Sequence, residues 1–216
     1  MAISTFEQGL AALQKRTTFV RIMIYAYIAL WGLTILFSVA ENAGAINLET
    51  MEPPLLTGAA AIVIGLAVLT MIVSIIVVGM WIHRAHANLK LAGIHDNATS
   101  PSWAVGWFFI PIANLFKPFQ AMRELWTSSH GVSDRYGDEA GGPLPQWWGC
   151  WIVGNVLTSV SSRVSSLEGS TSKPVYSVVD IVGFLALIGA AWFLLKIVEG
   201  INSAQQSSLG IAKTFA

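Results

Sequence analysis

From Leu55 to Ile82 the chain runs for 28 residues without a charge. About 20 mostly apolar residues cross the hydrocarbon core of a bilayer as a helix. In lipid only a helix or a closed barrel satisfies every backbone polar group, and a continuous apolar run has the helical pattern. Three other segments read the same way. Ile22 to Ala40 holds 19 uncharged residues; Ala140 to Ser162 is uncharged, with its spanning part starting at Trp147; and Val178 to Val198 has Asp180 and Lys196 near its ends. Trp147, Trp148 and Trp151 cluster at one end of the third of these, as interfacial aromatics do. Only 11% of the 216 residues are charged and 54% are hydrophobic. A soluble domain carries about 25% charged residues, so the solvent of this surface is lipid.

The segment from Trp103 to Phe116 is shorter. It has 14 uncharged residues, contains Pro111 and ends at Lys117-Pro118. Apolar segments of about 10–14 residues are more often re-entrant or interfacial than spanning. Ser100-Pro101 suits a helix start, Pro111 breaks that helix, and Pro118 starts a second one through Ser128, with Phe119, Met122 and Trp126 on one face. The pattern predicts a Pro-broken helical hairpin over 101–128 that dips into one leaflet. With four spans and a dipping hairpin, Lys and Arg divide ten to two across the membrane; with five spans they divide seven to five. Cytoplasmic enrichment of Lys and Arg favours four spans with both termini inside, with five spans as the alternative.

The expected fold is therefore an all-α membrane protein with four transmembrane helices, the re-entrant or interfacial hairpin, and an N-terminal amphipathic helix. That helix covers residues 1–18, with Ser4 and Glu7 spaced as a capping box and Ile3, Phe6, Leu10 and Leu13 forming an apolar stripe. A single helical membrane domain follows over 19–202, and 203–216 read as a loosely ordered polar tail. Lys15, Arg16 and Arg21 before the first apolar run suit an uncleaved signal anchor. Glu41 to Pro54 is an acidic outside loop, and His130 to Gln146 a flexible cytoplasmic one. A net charge of zero gives no footprint for nucleic acid. Cys150 is the sole cysteine, which leaves no intrachain disulfide and no thiol-rich zinc site.

The densest motif is Trp81-Ile-His-Arg-Ala-His-Ala-Asn88, followed by Pro111-Ile-Ala-Asn-Leu-Phe-Lys-Pro118 and Ala121-Met-Arg-Glu-Leu-Trp126. Its Arg-Ala-x-x-Asn, Pro-x-x-Asn-Leu-x-Lys-Pro and Ala-Met-x-Glu-Leu-Trp elements resemble a family of bacterial multi-pass membrane proteins known as domain of unknown function 4328. The resemblance extends over roughly residues 20 to 200 and is densest over 81–126 and at Trp147-Trp148. It implies a protein of the bacterial cell membrane and supplies no activity.

Trp81, Arg84, Ala85 and Asn88 fall on one helical face, and Gly93 is a natural stop for that helix. The dipping hairpin brings Asn114, Lys117, Arg123 and Glu124 to the same side of the membrane. Two readings follow. In one, Arg84, Lys117 and Arg123 receive an anionic head group or small molecule, with Asn88 and Asn114 adding neutral hydrogen bonds. In the other, the same residues hold the fold. Asn114 satisfies backbone groups freed by Pro111, Arg84 pairs with Glu124, and Lys117 snorkels to the head groups.

His83 and His86 share a face with Lys90, but no second cluster is placed to complete a metal or haem site, and no cofactor is implied. There is no nucleophile elbow, HExxH or phosphate-binding glycine loop. Asp180 reads as an interfacial acid and Asn155 as a helix–helix hydrogen bond. Ala61 and Gly65, and Gly183, Ala186 and Ala190, form small-residue faces that pack this bundle or dock it against another subunit. The expected function is a non-enzymatic structural or accessory component of a membrane complex, with the bilayer and a membrane protein or second copy as partners. The alternative is a lipid- or anion-binding protein, or a minor transporter.

Overall fold

In the computed structural model, residues 2–48, 50–94, 99–131, 142–167 and 173–214 are described, with the side chains of 2–4, 165–167, 173–177 and 208–214 set aside. They form six α-helices: α1 (Ala2–Asn42), α2 (Pro54–Leu91), α3 (Pro101–Gly106), α4 (Lys117–His130), α5 (Leu144–Leu167) and α6 (Lys173–Thr214). The only β-pairing among the described residues is an isolated bridge, Asn47 to Glu52, in the loop after α1. The helical class expected from the sequence is observed.

Among the described residues, three helices are long and apolar enough to cross a membrane: Thr5–Asn42, Pro54–Leu91 and Val178–Ser207. Their surfaces say the same as their length. Ile62, Leu69, Ile76 and Leu185 are each more than half exposed, an apolar display that water would not tolerate and hydrocarbon does. The fourth expected span, in α5, is 24 residues long but falls outside that group.

The chain divides into two compact units. One takes Met1–Ile22, Ile75–Gln146 and Phe193–Ala216; the other takes Met23–Ser74 and Trp147–Trp192. Helices α1, α2 and α6 contribute a stretch to each. In the second unit α5 and α6 approach closely at glycines. A Cβ at Gly154 would stand 2.6 Å from Leu187 Cγ and 3.0 Å from the Gly183 carbonyl, and one at Gly183 would stand 2.8 Å from Thr158 Cγ2. Gly183 therefore does the packing expected of its small-residue face. Gly65 does not: its Cβ would meet nothing within 4 Å. Asn155 also departs from expectation. Its Nδ2 donates to the Trp151 carbonyl of its own helix, 2.8 Å away, because a polar side chain can satisfy itself four residues back without a partner helix. Asp180 faces Ser161 across the same pair of helices.

The first unit contains the motif. Helix α2 ends where Gly93 was expected to stop it: Gly93 has φ +78° and Ile94 N donates to the Leu89 carbonyl, a Schellman closure. The helix, break, helix pattern expected from Pro101, Pro111 and Pro118 is observed, with the second helix running to His130. Ser100 Oγ caps α3 by accepting from Trp103 N at 3.3 Å. Two short 3₁₀ turns, Trp107–Phe109 and Ala113–Leu115, flank Pro111, and Pro118 lies in the first turn of α4. Its buried face is Pro118, Ala121, Met122, Leu125 and Ser129.

Two expectations change at the chain ends. Helix α1 runs unbroken from Ala2 to Asn42, and Phe6, Leu10 and Leu13 are buried in protein, so this stripe packs against helices instead of lying on a membrane surface. Ile3 lies outside the described side chains. The chain after Asn202 continues as helix to Thr214, with Ala204 and Gln205 buried. Helix continuation is favoured there because the buried face of Val198 and Ile201 repeats at Gln205. Most of the loop read between His130 and Gln146, residues 132–141, lies outside the described residues.

Candidate functional site

Asn88 is the centre of the first unit. It sits one turn after Arg84 on α2, is fully buried, and uses its whole amide. Its Nδ2 donates to the Gly9 carbonyl of α1 at 3.3 Å and to Gln205 Oε1 of α6 at 3.2 Å. Its Oδ1 accepts from Arg84 Nε at 2.9 Å. Gln205 is equally occupied: Nε2 donates to the Ala85 carbonyl and to Ser129 Oγ of α4, each at 3.1 Å. Two buried amides thus tie α1, α2, α4 and α6 together. A buried amide left without partners costs about 1–3 kcal/mol, so this network works only when all four helices are in place.

Gly9 makes the close approach of α1 workable. A Cβ there would collide with the Arg84 guanidinium and lie 2.6 Å from Asn88 Oδ1. Further contacts fasten the same helices. Trp81 Nε1 donates to Thr17 Oγ1 at 2.9 Å, Arg16 Nη1 donates to the Met80 carbonyl, and Gln206 Nε2 donates to the Leu10 carbonyl at 3.0 Å. Arg21 of α1 and Glu199 of α6 form an exposed ion pair at 3.1 Å.

Of Arg84, Asn88, Asn114, Lys117, Arg123 and Glu124, only Arg84 and Asn88 are joined to each other by a hydrogen bond among the described residues. Lys117 is in the hairpin, with Nζ 5.7 Å from the centroid of the Trp107 ring, a cation–π contact between its two arms. Asn114 lies beside it on the broken stretch. Its backbone N, not its side chain, takes the Ile110 carbonyl ahead of Pro111, at 2.7 Å, and its Oδ1 is buried with no partner. Arg123 is exposed on α4. Glu124 receives Thr99 N at 3.2 Å and Thr99 Oγ1 at 2.6 Å. Its carboxylate therefore tethers the loop into α3, and no ion pair joins it to Arg84 among the described residues. His83 is exposed, whereas His86 is buried with Nδ1 3.0 Å from the Ile82 carbonyl, so the two histidines do not converge.

Gly9, Thr17, Ser129 and Gln205 escaped the sequence reading. Gln205 carried the one available signal, since it follows Val198 and Ile201 at helical spacing on a face otherwise apolar. Elsewhere, an open hollow is lined by Ile46, Asn47, Glu52, Pro53 and Pro54, with Glu52 its single charged side chain among the described residues.

The hairpin presents an apolar tip. Phe109 is 69% and Ile112 76% exposed, and Leu115 and Phe116 are exposed with them. Its first arm touches α2 at Gly79, where a Cβ would stand 3.3 Å from Val105 Cγ1. That contact lies inside the uncharged run of α2, whose exposed surface is still Ile75, Ile76 and Met80.

Comparison with known proteins returned no match among the curated proteins and none among the solved structures. Residues 55–203 match the model of the family described as Domain of unknown function (DUF4328). The match takes in most of the chain, including the Trp81–Asn88 motif and the hairpin, and the chain belongs to the DUF4328 family.

Proposed function

We propose that this protein is a non-enzymatic accessory component of a membrane complex, in a bacterial inner membrane with both termini cytoplasmic. It would hold the Pro-broken hairpin as a fixed apolar surface at the cytoplasmic leaflet. The observation that carries this reading is the saturation of the Asn88–Gln205 network. Side chains that exhaust their donors and acceptors on one another build a scaffold and leave nothing for chemistry on a substrate. The four-span topology is supported by the ten-to-two division of Lys and Arg. It is supported again by Val105 against Gly79, which sets the hairpin beside the apolar part of α2. The exposed Phe109, Ile112 and Leu115 then meet lipid or a membrane partner in place of water.

Two measurements test this. Extraction in mild detergent followed by native gel and mass analysis should give the chain with a membrane partner, or a second copy, at fixed stoichiometry; a solitary chain would overturn the accessory role. Single cysteines introduced at Gly131 and Glu52 of a Cys150→Ser protein should label from opposite sides of the membrane. Labelling of both from one side would overturn the topology alone.

A further inference from the structure

Among the described residues, Arg16 and Arg84 are cations with no acid in an ion pair. Arg21, one and a half turns beyond Arg16 on α1, is matched by Glu199, but no ion pair reaches Arg16 or Arg84 among the described residues. Their positions are linked through the backbone. The Arg16 guanidinium donates to the Met80 carbonyl, which lies one turn before Arg84 on α2, and the two positive charges repel each other. The inner edge of Arg84 is committed: Nε donates to Asn88, and Nη2 is buried against Gly9. Nη1 is the remaining terminal nitrogen. It makes no hydrogen bond among the described residues and is not one of the buried atoms. Arg84 is thus a guanidinium fixed from behind, its stem held by the network, with one N–H edge outward beside a second arginine.

Two like charges held together near a low-dielectric medium are costly, and an anion placed between them removes that cost. Phosphate suits the pair because several oxygens can accept from two planar forks at once. We infer that Arg16 and Arg84 form a two-arginine clamp for a phosphate group. The phosphate belongs to an anionic lipid head group or is free in solution. The lipid source rests on the cytoplasmic-leaflet topology proposed above; the free-phosphate source does not. Lys117 and Arg123 are outside the clamp, one held over Trp107 and the other exposed on α4. This differs from the set of cations that spacing alone suggested.

The test uses the full chain in mild detergent, with phosphatidylglycerol, phosphatidylcholine or inorganic phosphate added. Retained lipid is counted by native mass spectrometry, and the thermal midpoint is followed in each case. Phosphatidylglycerol should bind about tenfold tighter than phosphatidylcholine, as expected for one or two charge-assisted hydrogen bonds. Arg16→Gln should abolish that preference and Lys117→Gln should leave it intact. If inorganic phosphate alone raises the midpoint and Arg16→Gln removes the effect, the clamp stands with the free anion as its ligand. Equal retention of both lipids together with no response to phosphate would overturn it, as would equal losses in Arg16→Gln and Lys117→Gln. Should Arg16→Gln fail to fold, the wild-type protein decides. Phosphatidylglycerol or phosphate should protect Arg16 and Arg84 from phenylglyoxal, read by peptide mass spectrometry, and unprotected labelling of both would refute the clamp.

Discussion

The two units of this protein hold their helices together by opposite means. In the unit of residues 23–74 and 147–192, α5 and α6 meet through absent side chains, Gly154 against Leu187 and Gly183 against Thr158. In the other unit, α1, α2, α4 and α6 meet through Asn88 and Gln205, two amides with their hydrogen-bonding capacity filled. Glycine contacts depend on shape alone and depend little on what lies elsewhere. Amide contacts are conditional: each helix supplies a group that another would leave buried and unsatisfied. The amide unit is thus expected to form or fail as a whole, and the glycine unit to loosen by degrees.

Substitutions can break that contrast. The largest effect is expected from Asn88→Leu, which strands Gln205 Oε1 and Arg84 Nε together. We expect a loss of about 3–4 kcal/mol, measured by denaturation in mixed micelles. Asn88→Ala with Gln205→Ala should cost clearly less than the sum of the singles, because each single change already forfeits the shared bond. Additivity would show that the amides act separately. Next comes Gly183→Val, where overpacking against Thr158 should cost about 1–3 kcal/mol, with the Asn88 unit unaffected by hydrogen exchange. Thr17→Val removes the acceptor of the buried Trp81 N–H and should cost about 1–2 kcal/mol. The smallest effect belongs to Gly65→Ala. With open space around it, this change should stay within about 0.5 kcal/mol. A larger change at Gly65, dependent on protein concentration, would reveal a partner helix on that face.

Much of the first unit could be read in the chain. The Ser100-Pro101 start, the break at Pro111, the restart at Pro118 and the stop at Gly93 all depend on residues that act locally, through a fixed φ, a missing N–H or an accessible positive φ. Arg84 and Asn88 were also legible, since helical spacing places them one turn apart. Their partners were not. Gly9 and Gln205 are 79 and 117 residues from Asn88 in the chain, and no periodicity relates them. Gln205 lay in a stretch whose polarity suggested a loose tail, and Glu124 had Thr99 as a partner that a charge-based pairing could not anticipate.

The sequence by itself determined that this chain lives in a membrane, that it is helical, and where its hairpin breaks. Hydropathy and proline act over a few residues and need no distant partner to take effect. Only the tertiary structure decided which polar residues are occupied and which cations, among the described residues, stay without an ion pair. A hydrogen bond is made or lost within a few tenths of an ångström, and three helices must be assembled before Asn88 has its partners, with a fourth before Gln205 has Ser129.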